Sequence, residues 1–388
     1  MKPLRVLQFI CPTGFYGAER WVLAFMRNSE RKLMENELVV TAEHGSSFQL
    51  FDEVRALDLP AHKLEMRSRF DTKAVKQLAK LMQERNIDII HTHGYKSDLL
   101  GLAAAKLAGI KAVCTPHGFE NTKDIKLRSF IWAGCQSFRF FDAVVPLSKA
   151  LMADVLRYGV KSKRAFYIQN GVDLSEIDDV MQSTSKREDQ LHSKKIVGFI
   201  GQLISRKNVK ALLDIFDELA GKHSELVLHL YGDGESRAEL ERYAKTLPSS
   251  DRIVFFGFID NRLEKLKHFD LFAMSSSLEG IPRCLMEAMA MRIPVAAYDI
   301  PGVDQLISDN ETGRLAPLGN KQALYNAFHD QLFDKDKAQS MAGEARAKIE
   351  REFSAKRMTD EYYQLFCDLL GSTAKEACAK TSSAKEAA

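Results

Sequence analysis

The stretch 271-LFAMSSSLEGIPRCLMEAMA-290 decides the fold. It opens with an apolar run of strand length and turns at Gly280. Pro282 stands where a helix would begin, a position whose missing N–H costs nothing. Ala288 and Ala290 then allow the helix to pack closely on a sheet. This is a strand, a turn and a helix, the repeating unit of a parallel sheet covered by helices. The amides around Arg283 to Leu285 are expected to point outward with the positive end of the helix dipole, a setting suited to a diphosphate. Glu287 lies inside the helix, where a carboxylate needs a partner, and ribose hydroxyls would serve.

Working outward, the same alternation runs through most of the chain. Strand candidates lie at 5–11, 37–42, 62–66, 87–93, 111–117 and 143–148, with helices such as 18–27 and 71–86 between them. A polar stretch without sustained period follows Asp173. A second series then begins, with strands at 196–201, 226–231, 253–258, 271–275, 294–298 and 313–316. The reading is an α/β protein of two doubly wound Rossmann-like domains whose strand-end loops face a cleft, with helices from about 321 to 371 closing the fold. Boundaries are expected at 1–175 for the first domain, 176–194 for a linker, 195–371 for the second domain and 372–388 for a frayed tail poor in apolar bulk.

A length of 388 residues suits two domains, and 45% apolar with 28% charged residues excludes disordered, collagen-like and coiled-coil classes. The net charge of +3 is too balanced for a dedicated nucleic-acid binder. Residues 61–170 nevertheless hold 19 Lys/Arg against 9 Asp/Glu, a local +10. The six cysteines show no paired or metal-finger spacing and read as reduced, which fits a cytoplasmic protein. Neither a signal core nor a membrane span is expected.

Several segments resemble, in order, the retaining glycosyltransferases of the GT-B fold, family 4. They are GFYGAER at 14–20, HTHG at 91–94, TPHG at 115–118, NGVD at 170–173, GQLISRKN at 201–208, YGDG at 231–234, and EGIPRCLMEAMA at 279–290 followed by IPVAAYDIPG. The resemblance implies an enzyme of EC class 2.4 that takes a nucleoside-diphosphate sugar as substrate and needs no cofactor. It also implies a saccharide or lipid-linked acceptor, and a role in bacterial surface polysaccharide or glycolipid synthesis. Carried over residue by residue, Glu279 matches the group that holds donor-sugar hydroxyls and Glu287 the one that holds the donor ribose. Arg206 and Lys207 match the basic pair on the donor diphosphate, and His117 a histidine over the donor sugar. Gly280, Ile281, Arg283, Cys284 and Leu285 form the donor loop, and Gly257 and Phe258 the nucleobase loop. Gln202 and Asn208 depart from the pattern, standing where many members carry arginine and glycine.

In the first domain Gly14 and Gly17 bracket a turn where backbone can approach a ligand closely. Gly17 is assigned to the donor, and Gly14 and Tyr16 to the acceptor side, with Tyr16 replacing the first of the family's paired glycines. Glu19 complements the following helix N-terminus. His91 and His93 are expected to diverge to opposite faces of their strand, and with no third ligand in spacing no metal site is expected. Asp233 is expected to cap the next helix. The basic residues Lys63, Arg67, Arg69, Lys123, Lys126 and Arg128, with Phe130, Ile131, Trp132, Phe138, Phe140 and Phe141, are read as a peripheral contact with an anionic membrane surface. The alternatives are a nucleotide-sugar epimerase of the same fold and a non-catalytic scaffold. Joint retention of Glu279, Glu287, Lys207 and His117 argues against the scaffold.

Overall fold

The computed structural model describes residues 2–43, 46–68, 71–118, 125–183 and 193–371. The expected tail at 372–388, and residues 184–192 of the expected linker, lie outside the described residues.

The first six strands are β1 (Leu4–Ile10), β2 (Met34–Ala42), β3 (Ala61–Glu65), β4 (Ile89–His93), β5 (Lys111–Cys114) and β6 (Ala143–Val144). They form a parallel sheet in the order β3-β2-β1-β4-β5-β6. β1, the second half of β2 and β5 read as apolar runs because both faces are covered, whereas the edge strand β3 is mostly half-buried or exposed. Val6 and Ile10 of β1 join one core with Trp21, Phe25 and Leu38. Leu7 and Phe9 join the other with Val39, Leu78 and Ile90. The second sheet contains β7 (Lys195–Ile200), β8 (Leu226–Tyr231), β9 (Ile253–Gly257), β10 (Leu271–Met274), β11 (Val295–Asp299) and β12 (Arg314–Pro317). Its order, β12-β11-β10-β7-β8-β9, repeats the topology of the first. In each sheet the chain reverses direction of travel beside the first strand, between β1 and β4 and between β7 and β10, where open α/β sheets bind ligands.

The chain divides into two compact units, Met1–Gly171 with the segment from Ala355, and Val172–Ser354. This differs from the expected 195–371 domain at both ends. The helix Ala355–Leu370 places Met358, Tyr362 and Phe366 in the core of the first unit, with Val6, Trp21 and Phe25. The stretch after Asp173 is a helix, Leu174–Gln182, capped by the Asp173 carboxylate on the amides of Ser175 and Glu176. It buries Ile177 in the second unit's core, with Leu174 and Val180 packed partly buried beside it, an apolar stripe only two turns long.

His91 and His93 do not diverge. Residues two apart on a strand share a face, and their ring centroids lie 4.3 Å apart. Among the apolar residues read as a membrane contact, Ile131, Phe138 and Phe141 are core. Trp132 and Phe140 are each 62% exposed. Arg69 and Lys123 lie outside the described residues, as do the side chains of Lys126 and Phe130. Cys11, Cys114, Cys135 and Cys284 are free thiols, whereas Cys367 is disulfide-bonded, against the reading of six reduced cysteines. No helix among the described residues is long and apolar enough to cross a membrane.

Candidate active site

The loops after β7 and β10 meet at the reversal point of the second sheet. Ser277 donates its amide to the carbonyl of Arg206 at 2.8 Å, and the Ser275 hydroxyl donates to the carbonyls of Lys207 and Asn208. These bonds fix the short turn Ser205–Lys207 against the strand end. Asn208 leaves that turn with φ +49°, the left-handed conformation that asparagine tolerates better than most residues. The loop thus keeps the geometry glycine would give, and the departure at this position is conservative in shape.

Two charge clusters follow. In the first, Lys207 Nζ donates to Glu279 Oε1 at 2.5 Å, and Arg206 Nη1 lies 3.3 Å from Glu279 Oε2. Side chains of Lys207 and Glu279 are 10% and 5% exposed, so the pair is held in a low-dielectric setting. Arg206 also donates to the carbonyl of Leu278. In the second cluster, Glu287 on the helix Arg283–Ala290 is 1% exposed. Arg262 grips it at both oxygens, 2.6 and 2.9 Å, and Arg283 donates to Oε1 at 2.9 Å. Burial alone would raise this carboxyl, but the two guanidinium groups hold it at about 2. Cys284 lies between the clusters. Burial pushes its thiol up to about 11, and it feels the charges of Lys207, Glu279 and Glu287 together.

Arg262 was not evident from sequence. It belongs to no motif, and its partner lies 25 residues away. The one available signal was a carboxylate predicted inside a buried helix, which demands a cation as readily as a hydroxyl.

Pro282 is the cap of the helix rather than its first residue, and its carbonyl accepts the amides of Leu285 and Met286. The Leu285 amide is therefore engaged in the first turn and its side chain is fully buried in the core, which leaves the outward amides to Arg283 and Cys284. Gly280 is exposed, Ile281 half-buried. The carbonyl of Gly280 sits where a Cβ on Gly302 would be, so that close loop contact requires glycine at 302. Gly257 ends β9 with φ +78°, and Phe258 beyond it is 56% exposed. Asp233 caps no helix: it accepts from the Gly234 amide and pairs with Arg237.

In the first unit Gly17 opens the helix Gly17–Asn28, and the amide of Tyr16 donates to Glu19 Oε2 at 3.0 Å, so Glu19 complements that terminus. The Tyr16 ring lies where a Cβ on Gly14 would be, and Tyr16 is itself exposed. His117 stands three residues beyond the end of β5, not on the strand, and is half-buried. It lines a pocket of about 340 Å³ with Ala18, His93, Tyr95 and Asp98. No group of three or more metal-ligating side chains occurs among the described residues.

Two parallel Rossmann-like units, with basic and acidic groups gathered at a strand-end reversal, define the GT-B class of glycosyltransferases. Family models agree: Glycosyltransferase Family 4 matches residues 15–176 and Glycosyl transferases group 1 matches residues 181–348. The chain belongs to the family 4, group 1 glycosyltransferases and is an enzyme of that class. It is 25% identical over 308 residues to the N-acetyl-alpha-D-glucosaminyl L-malate synthase of Bacillus anthracis, covering 78% of this chain and 80% of that one. It is 26% identical over 340 residues to the UDP-Gal:alpha-D-GlcNAc-diphosphoundecaprenol alpha-1,3-galactosyltransferase of Escherichia coli, covering 83% and 86%. In fold it is similar to Anabaena HepE in complex with UDP, with a TM-score of 0.76 at 19% identity over 94% of this chain and 100% of that one.

Proposed function

We propose that this enzyme moves a sugar, with retention of anomeric configuration, from a nucleoside-diphosphate sugar to a saccharide or lipid-linked saccharide acceptor in bacterial surface polysaccharide or glycolipid synthesis. The observation that carries the reading is the pair of charge clusters beside the helix Arg283–Ala290. Arg206 and Lys207 against Glu279 sum to +1, and Arg262 and Arg283 against Glu287 sum to another +1. A diphosphate linked to a sugar carries about two negative charges, so it would neutralise the site, with the helix dipole adding to the attraction.

The mechanism follows from where charge develops. Breaking the bond between sugar and diphosphate loads negative charge on the departing phosphate, and Lys207 and Arg206 stabilise that state more than the ground state. Glu279, freed in part from Lys207 as the phosphate takes it up, accepts hydrogen bonds from sugar hydroxyls. Glu287 serves the ribose through the one oxygen, Oε2, that meets a single guanidinium N–H. His117, by the family resemblance, acts on the donor sugar and steadies positive charge at the anomeric carbon. The departing phosphate takes the acceptor's proton, and transfer proceeds on the front face.

Relatives lend support to the donor and the acceptor. The Escherichia coli relative is named for a UDP-galactose donor and a diphosphoundecaprenol-linked acceptor, and HepE holds UDP. Incubation with UDP-, GDP- and ADP-sugars, read as nucleoside diphosphate release with and without acceptors, tests the reading. Turnover should require one of these donors, and the product's anomeric NMR signal should match the donor's configuration. An inverted product would refute the retaining route.

Two further expectations arise here. Because two net positive charges and a helix terminus meet the diphosphate, full activity should survive excess EDTA. A loss restored by Mg²⁺ or Mn²⁺ would contradict that. Arg128 and Trp132 lie one helical turn apart, exposed like the nearby Arg139 and Phe140, and basic groups near an anionic surface contribute about 1 kcal/mol each. Co-sedimentation should accordingly favour anionic over neutral liposomes at low salt. Equal, negligible binding to both would dismiss the membrane contact and leave the transferase reading intact.

A further inference from the structure

A chain of four side chains crosses the centre of the first sheet. Asn36 of β2, Gln8 of β1 and His93 of β4 are buried, and the chain ends on His117 beyond β5. Gln8 Nε2 donates to Asn36 Oδ1 at 3.0 Å, and Gln8 Oε1 lies 2.8 Å from His93 Nε2. His93 Nδ1 lies 3.1 Å from His117 Nε2. Trp21 packs on both imidazoles, with ring centroids 5.1 and 5.5 Å away, and limits their rotation.

The protons in this chain have one consistent placement. A carbonyl oxygen only accepts, so His93 Nε2 carries the hydrogen that meets Gln8. Burial, with His91 and His117 nearby, holds His93 well below the ordinary histidine range, so it is neutral and its Nδ1 keeps a lone pair. His117 must then supply the hydrogen between them from Nε2. Its other nitrogen, Nδ1, carries the lone pair, and the inner bond persists if Nδ1 gains a proton.

We propose that Gln8 and His93 are positioning residues that lock His117 in the Nε2–H tautomer. This rests on the role of His117 toward the donor sugar proposed above. Orientation of a catalytic imidazole through its second nitrogen is how one buried side chain sets the chemistry of another.

The test uses the full chain with ¹⁵N-labelled histidine, the His117 signals being assigned by loss in His117→Asn. Wild type should show the Nε2–H tautomer. Gln8→Met and His93→Leu, each removing one link, should give mixed tautomers and lower kcat roughly 10- to 100-fold with donor KM little changed, as orienting partners of histidine do elsewhere. Gln8→Glu should retain the tautomer and most of kcat, because a carboxylate still accepts from His93. Asn36 Oδ1 then loses its donor, and its amide must turn over so that Nδ2, now buried without a partner, donates to the new carboxylate. His93→Gln should likewise rescue relative to His93→Leu. Thermal melting separates folding loss from tautomer loss. The proposal is overturned by an Nδ1–H tautomer in wild type, or by folded Gln8→Met and His93→Leu variants that keep wild-type tautomer or wild-type kcat. The spectra need no donor. A wild type inactive on every donor would therefore count against the proposed function and leave the tautomer decided.

Discussion

Lys207→Ala should lower turnover on an identified donor by roughly 100-fold or more, the loss seen when one preorganised electrostatic group is deleted, about 2.7 to 4 kcal/mol. The structure sharpens why. Lys207 is largely buried and held at 2.5 Å from Glu279, itself tied to the loop that carries Arg206. A fixed cation in a water-poor site needs no reorganisation as negative charge reaches the phosphate. Removing it also leaves Glu279 with Arg206, a partner 42% exposed and at 3.3 Å. Some of the effect should appear as weaker donor binding, because an undercompensated carboxylate then faces the diphosphate. Lys207→Arg keeps the charge but not its shape or reach, and should recover only part of the rate. Wild-type rates in both Lys207→Ala and Glu279→Ala would refute these roles.

The strand and helix pattern was legible because parallel strands buried on both faces read as unbroken apolar runs. The inner strands fall on such runs, and the partly buried edge strands β3, β9 and β12 also fall where the sequence places a strand, with ends displaced by a few residues. Pairing between distant charges was not legible. Arg262 and Glu287 find each other because the helices Arg262–Leu266 and Arg283–Ala290 both pack against the helix Leu174–Gln182, and nothing in the local sequence encodes that. Membership of the last helix was hidden for a related reason. The apolar stripe of Ala355–Leu370 would look the same whichever core received it, and only the fit of Tyr362 and Phe366 beside Trp21 assigns it to the first unit. Asn208 shows the converse. At this departure from the family pattern the backbone has φ +49°, a conformation asparagine adopts at small cost. The Gln8–His93–His117 chain was invisible because its members stand within β1, at the end of β4 and beyond β5, strands that become neighbours only in the sheet order β1, β4, β5.

Glu287→Ala should destabilise the second unit by about 3 to 5 kcal/mol, the cost of stranding a buried charge whose partner is removed. Both guanidinium groups concerned are poorly hydrated: Arg262 is 11% and Arg283 16% exposed. Glu287→Gln keeps the volume and still accepts a hydrogen bond, so it should retain more stability than alanine while losing the charge. The same pairing fixes a pH dependence. The folded carboxyl lies at about 2, below its ordinary 4.5, so its contribution to stability is complete above about 4.5 and disappears as pH falls towards 2. Thermal melting of wild type should therefore decline across that acid window. In Glu287→Gln the decline should be shallower, because the group that gains a proton is absent. The donor effect runs in parallel, since the ribose would lose its carboxylate while Arg262 and Arg283 lose the anchor that aims them beside the helix N-terminus. A Glu287→Gln variant with the wild-type acid profile and wild-type donor KM would show that the Arg262–Glu287–Arg283 cluster governs neither the stability of this unit nor its hold on the nucleotide.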